Sequence, residues 1–171
     1  MKASCIVNVA IRNFQEGDKD QCRFLWPQLV EWHRIIYQDC TIGGEHPELQ
    51  FDKHLSHVGP QRLWVALQNS KLVGLIGLNP KGHEAEIEPV VVDNKNRRKS
   101  VGKQLVERVI SEEHNTGIKY LNVLPVARNL STVGFFYRLG FVNVGKVELF
   151  LDFVDKNWKP GLKLDGYEFN H

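Results

Sequence analysis

Cysteine is scarce in this chain: Cys5, Cys22 and Cys40 are an odd number and show no Cys-x-x-Cys spacing. That pattern argues against a disulfide framework and suits a reducing compartment. Each reads better as a small, largely buried hydrophobe than as a catalytic thiol, and no metal-ligand cluster is read. Long apolar runs are also missing, so no span of a bilayer is expected. The start, Met1-Lys2-Ala3-Ser4, leads into a short apolar stretch broken by Asn8 and Arg12, so no signal peptide is expected either. Neither charge sign dominates: 22 basic against 20 acidic residues leave a net +2, so any basic site must be local rather than global. Repeats, low-complexity tracts and linkers are absent. These absences predict a cytoplasmic protein without a membrane partner, folded as one domain over residues 1–171.

What is present is ordinary globular composition, 42% hydrophobic and 25% charged, on a chain long enough to bury a core without staples. Ile6–Arg12 reads as a first strand. Asp18 with Gln21 resembles a capping box, after which Leu25, Leu29, Trp32 and Ile36 recur at helical spacing. Gln38–Pro47 is a loop and Glu48–His57 a weaker second helix. Leu63–Gln68 and Lys71–Leu78 flank Asn69-Ser70, the signature of a tight hairpin. Ala85–Val92 is a further strand, bounded upstream by Pro80-Lys81-Gly82. Val101, Leu105, Val109 and Ile110 mark one face of a helix reaching about His114. Tyr120–Leu124 is a strand, Ser131–Leu139 a short helix closed by Gly140, and Val147–Val154 a last strand. The tail 155–171 takes no assignment. The order β, α, α, β, β, β, α, β, α, β predicts an α/β (α+β) fold, with a mixed, mostly antiparallel central sheet flanked by helices.

The informative segment runs from Val90 to Lys103. A strand (Val90, Val91, Val92) ends, a polar basic turn follows with Arg97, Arg98, Lys99 and Ser100, and a helix begins at Val101-Gly102-Lys103. The first amides of a helix have no partner within it and carry partial positive charge, so a turn that aims them at one point suits phosphate or pyrophosphate. Gly102 permits close backbone approach. Neither GxxxxGK[ST] nor GxGxxG is present, which excludes a P-loop and a dinucleotide fingerprint. Taken alone, the segment leaves three readings close to even: a phosphate cradle, a solvated basic helix start, and a nucleic-acid patch.

The segment Arg97-Arg98-Lys99-Ser100-Val101-Gly102 resembles the Arg/Gln-x-x-Gly-x-Gly/Ala motif of the GNAT superfamily of N-acetyltransferases, with Ser100 where the first glycine is usual. Asn129-Leu-Ser-Thr-Val-Gly-Phe-Phe-Tyr-Arg-Leu-Gly140-Phe141 resembles the same family's Asn-x-x-Ala…Tyr…Gly-Phe segment. Two motifs in the right order favour the resemblance over nucleic-acid binding. It implies a single acetyltransferase domain with a splayed cofactor cleft, acceptor-side helices at about 18–57 and an acetyl-CoA-binding core at about 85–141. It implies acetyl-CoA as co-substrate, no metal, its pyrophosphate on the turn of Arg97, Arg98, Lys99, Ser100, Val101, Gly102 and Lys103. Pantetheine would lie along Val90, Val91 and Val92 as an added strand, with Asn129 on its side.

Direct transfer needs a neutral amine, a polarised thioester carbonyl and a proton for the leaving thiolate. A backbone N–H near Val91 or Val92 is the expected carbonyl donor. Glu86 and Glu88 alternate on one strand and so share a face; either is a candidate base, Glu86 first, against the plainer reading of a solvated pair. The family's general-acid tyrosine position holds Phe136, with Tyr137 beside it, displaced by about 100° around a helix; packing is the expected role of Tyr137, and acid catalysis its weaker alternative. Trp26, Trp32, His33, Tyr37, Glu45, His46 and Glu48 fall on the acceptor side, with core or surface positions an equal alternative for the aromatics. The acceptor is a small-molecule or peptide amine, from polyamine, amino acid and aminoglycoside-like amine to protein N-terminus or lysine. The rival reading is a CoA-binding module with little or no turnover, encouraged by Phe136 and Ser100. A homodimer stays open.

Overall fold

The computed structural model describes residues 8–114, 116–153 and 158–171. Of the expected first strand, Ile6 and Val7 fall outside the described residues, as do Cys5 and Val154. The described strand is β1, Ala10–Asn13. Helix α1, Lys19–Tyr37, follows. Its buried stripe is Cys22, Leu25, Trp26 and Val30, shifted from the expected Leu29, Trp32 and Ile36, which are only partly covered. The expected capping box also takes a different form. Asp18 makes no cap bond to α1; its carboxylate turns back to receive Arg12 at 2.6 and 2.8 Å and the Gln15 backbone N–H at 2.8 Å. The Gln21 side chain instead accepts from the Leu72 backbone N–H at 3.0 Å. A buried carboxylate finds its best compensation in a bidentate guanidinium, and that pairing wins over the local cap.

Helix α2, Leu49–Val58, packs on α1 through Phe51, whose ring meets Trp26 at 5.7 Å and Phe14 at 6.0 Å. Arg23 on α1 grips Asp52 on α2 at 2.8 Å. Strands β2, Leu63–Gln68, and β3, Lys71–Lys81, form the expected hairpin. Asn69 and Ser70 both take positive φ, 50° and 63°, as a tight two-residue turn of the primed type requires. β3 runs past the expected Leu78, through Pro80, to Lys81 before turning at Gly82 into β4, Glu84–Val92. Helix α3, Val101–Glu113, then leads to β5, Tyr120–Asn122.

The sheet order is β1-β2-β3-β4-β5, antiparallel except for the parallel pair β4–β5. Helices α1 and α2 cover one face, where Leu25, Trp26, Val30 and Phe51 join Leu63, Val65, Leu75 and Val91 in one buried cluster. Helix α3 covers the other: a side chain at Gly74 would press on Leu105 and Val101, and Trp64 donates to Glu112 at 2.9 Å. The mostly antiparallel sheet flanked by helices is the architecture expected.

Contacts divide the chain into two compact units, one ending at Leu124 and the other beginning at Pro125. In the second, helix α4, Leu130–Tyr137, is capped at its start by Asn129, whose side chain accepts from the Thr132 N–H. It closes as expected at Gly140, φ 96°. The Gly140 N–H bonds Tyr137 and the Phe141 N–H bonds Phe136 at 3.2 Å, while the Phe136 and Phe141 rings meet at 5.3 Å. This is a Schellman closure with its hydrophobic contact. The expected strand at Val147–Val154 does not form in its described part: 147–153 carry no regular structure, and Leu149, Phe150, Leu151 and Phe153 are exposed. Composition of the strand type does not suffice where no neighbouring strand offers a ladder. The strands of this unit lie instead in the tail left without assignment, as the antiparallel pair β6, Pro160–Leu164, and β7, Tyr167–Asn170.

Candidate active site

The geometry of the site starts with the two edges of β4. On one side it pairs with β3: Val90 with Ile76, Val91 with Leu75, Val92 with Gly74. On the other it pairs with β5 only over Glu84–Glu86. From Ile87 to Val92 that second edge has no strand on it among the described residues. Antiparallel pairs alternate between bonded and non-bonded. The Asp93 N–H donates to the Val73 carbonyl at 2.9 Å, which makes Val92–Gly74 a non-bonded pair. Val91 therefore exchanges its bonds with Leu75, while Val90 and Val92 turn their backbone groups to the open edge. Of the two donors expected, Val91 is occupied by the sheet and Val92 is available. The Val91 side chain is core, while Val90 and Val92 are partly buried.

A register shift falls at Gly77, where Glu88 and Pro89 oppose one residue of β3. Gly77 has no room for a side chain, since a Cβ there would collide with the Glu88 carbonyl and lie 2.8 Å from His54 Nε2. His54 on α2 stacks on Trp26 at 5.2 Å. Burial pushes its imidazole down to about 4, with the neighbouring His57 adding to the shift and the Glu88 carbonyl opposing it. Its buried Nε2 has no well-formed hydrogen bond.

Glu86 and Glu88 differ in environment. Glu86 is buried, 7% exposed, and ion-paired with Lys81 across the hairpin; Glu88 is exposed. The Lys81 ammonium is held above its ordinary range by Glu86 first and by Glu88 and Glu84 more weakly.

After Val92 the chain makes a short 3-10 turn at Asn94–Asn96 and passes through two left-handed residues, Arg98 at φ 61° and Ser100 at φ 66°, into α3. The first amide bonded inside the helix is that of Gln104, to the Ser100 carbonyl at 3.0 Å. The N–H groups of Val101, Gly102 and Lys103 precede it and have no helical partner. No acidic residue occupies the first turn. Arg98 is exposed and Lys99 half-buried. Lys103 leans back to Glu107 at 3.6 Å. Arg97 packs over the Trp32 ring, 5.4 Å from its centroid, and its Nε donates to the Val92 carbonyl at 3.3 Å. Burial lowers its pKa from the ordinary value.

The other candidates lie in the second unit. Asn129 is buried, and its Oδ1 serves the Thr132 N–H at 3.2 Å and the Ser131 hydroxyl at 2.9 Å. Tyr137 is 64% exposed, so the packing role expected of it belongs to Phe136, which is buried. Sequence reading missed Gln28 and His54 as members of the site region; no motif marks them, and only their partners across the fold reveal them.

A family model for the acetyltransferase (GNAT) family matches residues 26–141. This chain belongs to that family. Among solved structures, an acetyltransferase of the GNAT family from Staphylococcus aureus is 21% identical, TM-score 0.63, covering 95% of this chain and 99% of that one. The PaiA N-acetyltransferase of Thermoplasma acidophilum, solved in complex with coenzyme A, is 16% identical with TM-score 0.65, covering 96% and 97%. Glucosamine-6-phosphate N-acetyltransferase from Arabidopsis thaliana is 20% identical with TM-score 0.58, covering 86% and 99%. These likenesses show the fold. No curated protein sequence matches. As a GNAT-family chain this protein is an acyltransferase by family. Among its described residues no group of three metal-ligating side chains is placed to hold an ion, and no helix is long and apolar enough to cross a membrane.

Proposed function

We propose that this GNAT-family protein transfers the acetyl group of acetyl-CoA to a primary amine by direct attack. One observation carries the reading: the open edge of β4 at Val90 and Val92 leads, through the turn at 93–100, to the amides of Val101, Gly102 and Lys103, which have no helical partner. An elongated ligand with amide groups at one end and a pyrophosphate at the other matches that sequence of donors and acceptors. Arg98 and Lys99 add charge beside the amides.

In the reaction, the amine nitrogen attacks the thioester carbonyl, the carbon–sulfur bond breaks, and the electron pair leaves on the CoA thiolate. The Val92 N–H is the available donor to the developing oxyanion. Glu86, directly or through water, takes the proton the amine must lose; Glu88 is the second candidate. Tyr137, the weaker acid candidate, and Asn129, the pantetheine-side candidate, keep the parts that the family resemblance implies for them. The acceptor is a small-molecule or peptide amine, selected by the loop and helices that carry Trp32, His33, Tyr37, Glu45, His46 and Glu48. That a structural neighbour acetylates an amino sugar phosphate supports an amine acceptor without naming this one.

The second reading, a CoA-binding module with little turnover, is favoured by Phe136 in the acid position. Turnover separates the two. Incubation with acetyl-CoA and a panel of amines should release CoA, and Glu86→Gln should lower the rate at neutral pH by roughly 10²–10⁴-fold while leaving acetyl-CoA binding intact. Part of that loss should return at higher pH, where more of the free amine arrives already deprotonated. Stabilisation by acetyl-CoA with no CoA release from any amine supports the module; wild-type rates in Glu86→Gln and Glu88→Gln dismiss both carboxylates.

A further inference from the structure

Helix α1 and the basic turn belong to different halves of the expected site, yet side chains that take no part in the bond-making step join them. The Gln28 amide, mid-way along α1, faces the end of β4. Its Nε2 donates to Asp93 Oδ1 at 3.2 Å and its Oε1 accepts from the Asn94 backbone N–H at 2.9 Å. The second oxygen of Asp93 accepts from Asn96 Nδ2 at 2.8 Å. One helical turn on, Trp32 lies beneath Arg97, whose Nε holds the Val92 carbonyl. Gln28 and Trp32 are four residues apart and share a helix face. The chain from Asp93 to Arg97 is thus fastened at both ends to α1.

The fastened residues are those with least support of their own. Beyond the Asp93 N–H bond to Val73 they have no ladder and only one 3-10 turn, and they lead into the left-handed Arg98 and Ser100. Yet this connection decides the angle between the β4 edge and the first amides of α3. A ligand that must meet both would otherwise spend binding free energy on ordering the link.

We propose that Gln28, with Trp32 beside it, is a positioning residue for the cofactor: the α1 contacts hold Asp93–Arg97 so that the β4 edge and the α3 amides address one ligand together. The inference rests on the reading of that edge and turn as the CoA site. It gives Arg97 an architectural part through Trp32 and Val92, alongside its charge.

The test is a charge-swapped pair read by CoA binding. Gln28→Glu keeps an acceptor for the Asn94 N–H but loses the donor and sets a carboxylate against Asp93. Asp93→Asn in the same chain returns a donor towards the glutamate while its oxygen still serves Asn96. CoA dissociation constants by calorimetry should weaken roughly tenfold in Gln28→Glu and recover most of that in the double variant. KM for acetyl-CoA should rise with kcat at saturating acetyl-CoA near the parent's. Gln28→Ala, which removes both bonds without adding charge, should also bind CoA more weakly and serves if Gln28→Glu does not fold. Parent-like affinity in Gln28→Glu or Gln28→Ala overturns the proposal, as does a loss that Asp93→Asn fails to restore in a folded protein. If the parent itself binds no CoA, the reading of the site has failed first, and the parent measurement shows it before any variant is made.

Discussion

Ser100 stands where the family motif usually has glycine, and the structure puts a consequence on that departure. The residue takes φ 66° and ψ 8° immediately before α3, and its hydroxyl makes no cap bond to the helix. A left-handed conformation costs a residue with a Cβ roughly 1–2 kcal/mol, whereas glycine adopts it freely. Glycine also gives the unfolded chain more freedom, which takes back roughly 0.4–1 kcal/mol. Ser100→Gly should therefore stabilise the protein by about 0.5–1 kcal/mol, raising the thermal midpoint by roughly 1–4 °C for a chain of this size. Its backbone N–H is kept, so CoA affinity should stay within about twofold of the parent. Ser100→Ala is the control. It keeps the strain and deletes a hydroxyl that caps nothing, so its midpoint should match the parent's. Thermal melts with and without CoA read both. A lowered midpoint in Ser100→Gly, or a loss of about 1 kcal/mol in Ser100→Ala, the usual value of a lost cap, would refute the argument and make the hydroxyl a working N-cap.

Three further expectations follow from the buried polar groups and the basic turn. His54 is held neutral in the fold with its pKa down at about 4, against an ordinary value of 6.5; the unfolded chain takes up the proton first as pH falls. Its contribution is therefore complete above about 6.5 and lost between 6.5 and 4, and His54→Phe, which keeps a ring against Trp26, should flatten the stability–pH profile in that window. A parent profile equally flat there would dismiss the burial argument. Arg12→Ala strands the buried Asp18 carboxylate, with only the Gln15 N–H left, and should cost roughly 2–4 kcal/mol by chemical denaturation; adding Asp18→Asn should recover much of it, and a cost below about 1 kcal/mol would show the pair to be a surface one. Acetyl-CoA affinity should fall as salt rises, because Arg98 and Lys99 are at most half-buried and screened by ions; an affinity indifferent to salt would move the phosphates elsewhere.

Much of the architecture is legible in the amino-acid sequence because it is written in local signals. The hairpin at Asn69-Ser70, the closure of α4 by Gly140 and the strand–turn–helix around Arg97–Gly102 each depend on backbone conformations that a few adjacent residues dictate. Local signals misled where a distant partner competes. Asp18 has the sequence of a cap yet bonds Arg12, and the stripe of α1 slides to Trp26 and Val30 because the sheet and α2 decide which side is covered. Val147–Phe153 has strand composition without a partner strand, since pairing is a property of two segments.

The sequence by itself determined the order of helices and strands as far as α4, the family, and which residue types stand at the turn, because periodicity, turn chemistry and motif spacing are carried by neighbours along the chain. Only the tertiary structure decided what those residues touch and which of their groups stay open. Register with β3 makes Val92, and not Val91, present its N–H to the open edge. Folding of the hairpin places Lys81 against Glu86, and packing of α1 sets Gln28 and Trp32 against the end of β4. The helix cap takes the Asn129 oxygen, and the core takes Phe136 while leaving Tyr137 in solvent. The β3–β4 register and the contacts of Gln28 and Trp32 join partners brought together by pairing or packing, and no local spacing along the chain encodes them.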